Sequence, residues 1–165
     1  NASSTAGSTI DASGVTFEST QGVNLTLEGA AKADIITGSA KNDTISAGSA
    51  AGNGGGADAY DGGSGTDTFL SAGMHAVTES GSAAASTGVV VNLGSTAISG
   101  TAVFSNVADY IAGGITEVAA STMTYTYAAN STSNAATVST IVNIENITGT
   151  VGADYIVGDA GVNTH

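Results

Sequence analysis

Aspartates recur at fixed intervals in the first half of the chain, each following a glycine-containing stretch. Asp34 and Asp43 are nine residues apart, as are Asp58 and Asp67, and a six-residue insertion near 47–52 separates the two pairs. Turns that contain glycine can aim backbone carbonyls and a carboxylate at one point. Oxygen-only ligand sets of this kind suit Ca²⁺, which accepts about six to eight oxygens. The spacing therefore predicts calcium sites built from turns and aspartates.

Each nine-residue unit is interpreted as a tight turn over its first six residues, followed by a very short strand. Successive units are expected on opposite sheets, so that one coil takes two units and each turn stacks on the turn two units away. The expected fold is all-β, a parallel β-roll or β-solenoid with calcium-binding nonapeptide turns and additional strands in the middle region. The eighth residue of each unit is expected to point into the coil: Ile36, Ile45, Tyr60 and Phe69.

This stacking pairs the aspartates across coils. One ion is expected between the turns that end at Asp34 and Asp58, and a second between the turns that end at Asp43 and Asp67. The six-residue insertion lies in the turn before Asp58. It could bulge outwards or disrupt the first site, so the second site is the better candidate.

The composition is consistent with a fold that depends on metal. The formal net charge is −12, with two lysines and no arginine, and Ile, Val, Leu and Phe make up only 32 of the 165 residues. Chains with this balance are close to the range in which proteins stay unfolded. A divalent cation would neutralise carboxylates and add folding free energy. Ile and Val outnumber Leu by 25 to 4, which favours strands over helices.

The same composition argues against several classes of function. An acidic chain is a poor ligand for nucleic acid and anionic membranes, and no apolar run has the length of a membrane span. The absence of cysteine excludes disulfides and thiolate metal sites. No serine has a base and an orienting acid in a recognisable pattern, so no catalytic activity is expected.

Four segments are expected along the chain. Residues 1–28 are interpreted as capping strands, 29–70 as the calcium-binding roll, and 71–148 as a β-rich continuation of uncertain topology. Residues 149–165 are interpreted as the start of a second, truncated repeat block, which adds Asp154 as a candidate metal ligand. Because the chain begins without methionine, we expect it to be a fragment of a longer protein.

The nine-residue unit resembles the hemolysin-type (RTX) calcium-binding repeat, Gly-Gly-x-Gly-x-Asp followed by x, a large apolar residue and x. Residues 62–70 match this pattern in full, and the other copies lack some of its glycines. The resemblance implies carbonyl ligands at the first and third residues of one turn and at the second and fourth of its partner. It thereby adds Gly29, Ala31, Gly54 and Gly56 to the first site, and Gly38, Ala40, Gly63 and Gly65 to the second. Two or more calcium ions are expected.

The resemblance also implies export by a type I secretion system and folding in the calcium outside the cell. The Ala/Thr/Ser-rich, lysine-poor composition is similar to that of bacterial surface-layer proteins with such repeats. We therefore expect a calcium-dependent structural module of a surface-layer or adhesin-like protein at the bacterial cell surface, able to self-associate into a lattice. The alternative is a C-terminal RTX folding and secretion module of an exported protease or lipase.

Two further interpretations bear on the structure. A ligand-binding solenoid would require a regular ladder of threonine and asparagine along one face, whereas the threonines look irregular in the sequence. Glu145 is interpreted as a strand-edge residue, although a carboxylate near the repeats could be recruited to a metal site.

Overall fold

The structure, a computed structural model, describes residues 7–16, 24–29, 32–47, 57–71, 87–99, 117–126, 136–150 and 153–164. Within these ranges the chain forms strands and no helix: β1 (Thr9–Asp11), β2 (Thr26–Glu28), β3 (Ile35–Thr37), β4 (Thr44–Ser46), β5 (Ala59–Asp61), β6 (Thr68–Leu70), β7 (Thr87–Asn92), β8 (Ile98–Ser99), β9 (Glu117–Val118), β10 (Thr122–Thr126), β11 (Ala136–Val142), β12 (Asn146–Thr148) and β13 (Ala153–Val157). None of the described residues lies in a helix long and apolar enough to cross a membrane.

The first six strands alternate between two sheets as the chain advances. β1, β3 and β5 lie side by side in a large sheet, and β2, β4 and β6 lie side by side in a small one. All of these neighbours are parallel and in register. Two consecutive strands therefore make one coil, and the predicted all-β parallel roll is confirmed. β1 and β2 form its first coil, stacked in register with β3 and β4; the segment boundaries drawn from the sequence stay predictions.

The core lies between the two sheets. Each of these strands has three residues, so its middle side chain points inward and its neighbours point outward. The inward columns are Ile10, Ile36, Tyr60 and Ile141 in the large sheet, and Leu27, Ile45, Phe69 and Ile147 in the small sheet. The rings of Tyr60 and Phe69 meet across the core with centroids 4.7 Å apart and planes tilted by 54°. The predicted inward positions are thus confirmed as buried.

Of the strands between β6 and β11, β7 and β10 extend the large sheet, whereas β8 and β9 pair with each other in a separate antiparallel two-stranded sheet. β11 pairs with β5, and β12 pairs with β6, so these two strands form the next coil directly on the first three. Beyond β11 the large sheet continues with β10 and β7, both joined in antiparallel fashion, and ends at β13, which is parallel to β7. Among the described residues, the small sheet continues past β12 only through an isolated parallel bridge between Asn146 and Thr164.

A regular outward ladder runs along the small sheet. Its members are Thr26, Thr44, Thr68, Asn146 and Thr164, which face each other in register on neighbouring strands. Their separations along the chain are 18, 24, 78 and 18 residues. The sequence interpretation of irregular threonines was therefore wrong, because insertions between coils change the spacing in sequence while the strand register stays constant. Neighbouring side chains of such a ladder are about 4.8 Å apart.

Candidate metal centre

Turn 38–43 and turn 62–67 lie against each other at one end of the roll, where the chain passes from the large sheet to the small one. The N–H of Ser64 donates to the carbonyl oxygen of Ser39 over 3.1 Å. β4 and β6, which follow the two turns, pair in register. The predicted stacking of turns two units apart is confirmed here.

Two glycines make this close approach possible. Gly63 has φ of 90° and Gly65 has φ of 142°, a region that favours glycine. An added Cβ at Gly63 would collide with the carbonyl oxygen of Ser39, and at Gly65 it would lie 2.7 Å from the carbonyl oxygen of Lys41. The glycines at the second and fourth positions of turn 62–67 therefore bring the backbones of the two turns together.

Three carboxylates stack along this end of the roll, one per coil. The N–H of Asp43 donates to Oδ1 of Asp67 over 2.6 Å, and the N–H of Asp67 donates to Oε2 of Glu145 over 2.7 Å. We call Asp43, Asp67 and Glu145 the carboxylate ladder. Glu145 thus takes the position of a repeat aspartate, which agrees with the alternative left open for it rather than with the favoured interpretation as a strand-edge residue. The available signal was its place directly before a three-residue strand with a central isoleucine, where Asp67 precedes β6.

A second series of polar side chains runs along the opposite end of the roll. The N–H of Ser8 donates to Oδ1 of Asp34 over 2.7 Å, and the N–H of Asp34 donates to Oδ1 of Asp58 over 2.8 Å. In the next coil Ser139 replaces the aspartate, and its Oγ accepts from the N–H of Asp58. Asp34 and Asp58 are therefore brought together as expected. Of the carbonyl ligands expected at this site, Ala31, Gly54 and Gly56 lie outside the described residues, whereas Gly29 lies within them.

Asp67 differs from the other turn aspartates in one respect. In turn 38–43, the N–H of Ser39 donates to Oδ2 of Asp43 over 2.5 Å. The equivalent N–H in turn 62–67 belongs to Gly63 and donates instead to Oδ1 of Asp61 over 3.0 Å. As a result Oδ2 of Asp67 is buried without a hydrogen-bond donor, in a residue that is only 1% exposed. A buried charged oxygen in this state destabilises the fold unless another group compensates it.

The electrostatics of Asp67 agree with this geometry. Burial raises the pKa of Asp67 to about 6, and the negative charges of Asp43, Glu145 and Asp61 act in the same direction. The hydrogen bond from the N–H of Asp43 lowers the pKa and only partly offsets these effects. Burial also raises the pKa of Asp58. A bound cation would reverse the sign of the field at these carboxylates.

The first glycine of each turn leaves room between two oxygens. An added Cβ at Gly38 would lie 2.8 Å from Oδ2 of Asp43 and would collide with the carbonyl oxygen of Gly62, one coil further on. An added Cβ at Gly62 would lie 2.6 Å from Oδ2 of Asp67 and would collide with the carbonyl oxygen of Asn143. A carboxylate and a carbonyl oxygen thus line each space, the donor types that Ca²⁺ prefers. The residues present fit a calcium ion.

Side chains alone do not form the centre. Among the described residues, no group of three or more His, Cys, Asp or Glu side chains is placed to hold a metal ion. The expected site instead combines two aspartates with backbone carbonyls. Its predicted carbonyl ligands lie in the two stacked turns: Gly38, Ala40, Gly63 and Gly65. Their assignment as ligands stays a prediction.

Asp154 lies in β13, at the far end of the large sheet. Its Oδ2 accepts from the N–H of Thr150 over 2.7 Å, and its Oδ1 accepts from the N–H of Val89 over 2.8 Å. Asp154 is thus joined to the first residues of β7 rather than to another repeat turn. Its predicted role as a metal ligand stays a prediction.

Comparison with protein families supports the interpretation of these turns. The family model described as RTX calcium-binding nonapeptide repeat (4 copies) matches residues 26–51 and 143–164. The chain contains RTX calcium-binding nonapeptide repeats. RTX repeats bind Ca²⁺, and several repeats imply several ions. The RTX repeat family is structural rather than catalytic. Comparison with curated proteins and with solved structures found no match.

The two RTX segments meet in space through the turn between them. On one side of turn 62–67, the N–H of Gly38 donates to the carbonyl oxygen of Asp61 over 2.7 Å. On the other side, the N–H of Glu145 donates to the carbonyl oxygen of Asp67 over 3.2 Å. The turn that contains Asp67 therefore links RTX segments that are distant in sequence.

Proposed function

We propose that the chain is a calcium-dependent structural module of a secreted bacterial protein, and that it folds when Ca²⁺ fills the RTX turns outside the cell. The observation that carries this proposal is the buried Oδ2 of Asp67, which has no hydrogen-bond donor in the turn between the two RTX segments. A bound calcium ion supplies a positive partner for the negative charge of this oxygen.

Without calcium, folding brings like charges together. The carboxylate ladder places three acidic side chains on successive coils, and the whole chain carries a formal charge of −12. Burial of Asp67 adds a desolvation cost. These effects favour an extended chain where calcium is scarce, which is the state that threading through a type I secretion system requires.

With calcium, binding energy becomes folding energy. Extracellular calcium modules have dissociation constants of about 10⁻⁴–10⁻³ M, a range that millimolar calcium can fill. At about 1 to 10 times its dissociation constant, a ligand that binds only the folded state stabilises that state by about 0.4–1.4 kcal/mol per site. Several such sites together contribute an appreciable part of the about 5–15 kcal/mol by which a domain is stable.

For the parent protein we propose a surface-layer or adhesin-like protein of the bacterial cell surface. The support is compositional: many Ala, Thr and Ser residues and only two lysines. Self-association into a calcium-linked lattice is part of this proposal, and light scattering with and without calcium tests it. The alternative parent, an exported protease or lipase, requires a catalytic domain encoded next to this segment, which the gene sequence would reveal.

The proposed function is tested by far-UV circular dichroism during a titration from EDTA into millimolar Ca²⁺, with Mg²⁺ as a control. We expect a transition from coil to β structure that only calcium produces. The Asp67→Asn variant should require more calcium for the same transition. Asp11→Asn is the matched control, because Asp11 is exposed and its Oδ1 caps Ser13. An unchanged β spectrum in EDTA and calcium would reject folding driven by metal.

A further inference from the structure

Tyr60 and Phe69 occupy the same position in successive repeat units. Each is the central residue of a three-residue strand, Tyr60 in β5 and Phe69 in β6. Each also follows the aspartate of its own turn by two residues, Asp58 in the first case and Asp67 in the second. Both side chains are buried, and their rings meet across the core. The side chains at this position therefore differ only by the hydroxyl of Tyr60.

The hydroxyl of Tyr60 reaches the aspartate of its own turn. It donates to Oδ2 of Asp58 over 2.8 Å, in a buried hydrogen bond. Oδ1 of the same carboxylate accepts from the N–H of Asp34 over 2.8 Å. Hydrogen bonds to a charged oxygen compensate for the water that burial removes. Protein donors therefore contact both oxygens of Asp58.

Asp67 has the first of these hydrogen bonds but not the second. Its Oδ1 accepts from the N–H of Asp43 over 2.6 Å, just as Oδ1 of Asp58 accepts from the preceding coil. Its Oδ2 is buried without a donor, and Phe69 has no hydroxyl to donate. In these two units, the presence of the hydroxyl thus distinguishes a hydrogen-bonded aspartate oxygen from an unsatisfied one.

The next coil continues this difference between the two ends of the roll. Beyond Asp58, the buried Ser139 accepts from the N–H of Asp58 through a neutral hydroxyl oxygen. Beyond Asp67, a carboxylate oxygen of Glu145 accepts from the N–H of Asp67. Because like charges on neighbouring coils repel each other, the end that contains Asp67 needs a cation more than the end that contains Asp58.

We propose that the residue two positions after the aspartate determines which turn depends on calcium: the hydroxyl of Tyr60 takes the place of the cation at Asp58, whereas Asp67, followed by Phe69, requires the ion. This inference rests on the proposed calcium-dependent folding, and it removes Asp58 from the calcium ligands predicted from the sequence. A phenol is a neutral donor that belongs to the chain, so its hydrogen bond does not depend on the calcium concentration.

The experiment counts bound calcium ions by native mass spectrometry in saturating calcium, in the wild type and in Tyr60→Phe. This variant leaves Oδ2 of Asp58 without its phenol donor, and we expect it to bind one ion more than the wild type. Tyr155→Phe is the matched control, because it removes a hydroxyl from a side chain that is 37% exposed, and its ion count should not change. A hydroxyl with a purely structural role would affect stability but not the number of ions, so an unchanged count in Tyr60→Phe overturns the proposal.

The reciprocal variant Phe69→Tyr tests the same rule in the other turn. The added hydroxyl should donate to Oδ2 of Asp67 as that of Tyr60 donates to Asp58, and we expect this variant to bind one ion fewer. A folded Phe69→Tyr with the full number of ions contradicts the proposal.

Nuclear magnetic resonance of the wild type gives a test that does not depend on a variant that folds. In saturating calcium the hydroxyl proton of Tyr60 should exchange slowly with water, because it is buried and hydrogen-bonded to Asp58. Rapid exchange would mean that calcium displaces this hydrogen bond, which overturns the role of Tyr60. A wild type that binds no calcium overturns the proposed function as well, whereas an unchanged ion count in Tyr60→Phe overturns this inference alone.

Discussion

The backbone N–H of Asp43 donates a hydrogen bond of 2.6 Å to Oδ1 of Asp67, although 24 residues separate the two. The other oxygen of the Asp67 carboxylate is buried without a donor. One oxygen thus joins neighbouring coils, whereas the other is left for a cation. An amide in place of the carboxylate still has an oxygen that accepts from the N–H of Asp43, but it has no second oxygen for a cation.

Asp67→Asn should therefore separate coil stacking from calcium binding. At a calcium concentration of about 100 times the dissociation constant, we expect its free energy of unfolding to fall by about 2.7 kcal/mol, the contribution of one lost site. Urea unfolding followed by circular dichroism measures this difference. Asp11→Asn should unfold like the wild type. If Asp67→Asn gains as much stability from calcium as the wild type, Asp67 is not a ligand.

Acid should partly replace calcium in the metal-free chain. The pKa of Asp67 in the folded state is about 6, above its ordinary value of 3.8, so the folded state binds more protons between these two values. Folding is then favoured as pH falls from 6 towards 4, and this advantage is lost as pH rises through 6. The raised pKa of Asp58 acts in the same direction.

We expect circular dichroism in EDTA to show more β structure at pH 5 than at pH 7, and the difference to be smaller in Asp67→Asn. In calcium the dependence reverses, because protons compete with the ion for Asp67 below pH 6. Equal β content in EDTA across this range would contradict the assignment of a desolvated carboxylate at position 67.

The left-handed glycine of turn 62–67 gives a prediction about backbone geometry. Gly63→Ala places a Cβ at φ of 90° and against the carbonyl oxygen of Ser39. The backbone conformation alone costs about 1–2 kcal/mol, and the collision adds to it. Gly14→Ala is the control, since an added Cβ there meets nothing within 4 Å. Thermal unfolding in calcium should show a clearly lower melting temperature for Gly63→Ala and little change in melting temperature for the control. Equal melting temperatures for the two variants would contradict this account.

The roll could be predicted from the sequence because its information is local and repeated. The nine-residue repeat shows which residue of each unit points inward and which residues form the turn. Because two units make one coil, successive strands lie on opposite sheets. Asp43 and Asp67 could therefore be placed on neighbouring coils from spacing alone. The insertion before Asp58 did not change this result, because β3 and β5 still pair in register.

The rest could not be predicted, because alternation identifies a strand but not its partner. Val89 to Asn92 could have paired anywhere, and the structure places them in the large sheet, between β10 and β13. The position of Glu145 could not be assigned for a related reason: it depends on β12 pairing with β6, a contact between segments 78 residues apart. Only the pairing of the strands brings Glu145 next to Asp67.

The aromatic pair in the core should be essential for the roll. The side chain of Phe69 is fully buried and packs against the ring of Tyr60. Phe69→Ala removes this packing and leaves a cavity, which destabilises a core by about 3–5 kcal/mol. Val162→Ala is the control, since Val162 is 88% exposed, and it should change stability by less than about 0.5 kcal/mol. Urea unfolding in saturating calcium checks both values. Equal stabilities would contradict the position of Phe69 in the core.

The strands added to the large sheet should depend on one buried amide. The side chain of Asn92 is fully buried, and its Nδ2 donates to the carbonyl oxygens of Thr96, Val118 and Ala119, at 2.9, 3.2 and 3.0 Å. Its Oδ1 accepts from the N–H of Gly94. Asn92→Asp keeps the size and this acceptor, but it removes the donor and introduces a buried charge. Each buried polar group that loses its hydrogen-bond partner lowers the free energy of unfolding by about 1–3 kcal/mol.

Hydrogen exchange can show where that destabilisation acts. In Asn92→Asp we expect protection to fall in β7, β9 and β10, because the carbonyls left without a donor belong to β9 and to the segments that follow β7 and β9. The N-terminal coils from β3 to β6 should stay protected in calcium, since their hydrogen bonds and core residues do not involve Asn92. Asn24→Asp, an exposed change of the same kind, should leave both regions unchanged. Equal loss of protection in the coils and the added strands would mean that the roll and the added strands unfold as one unit.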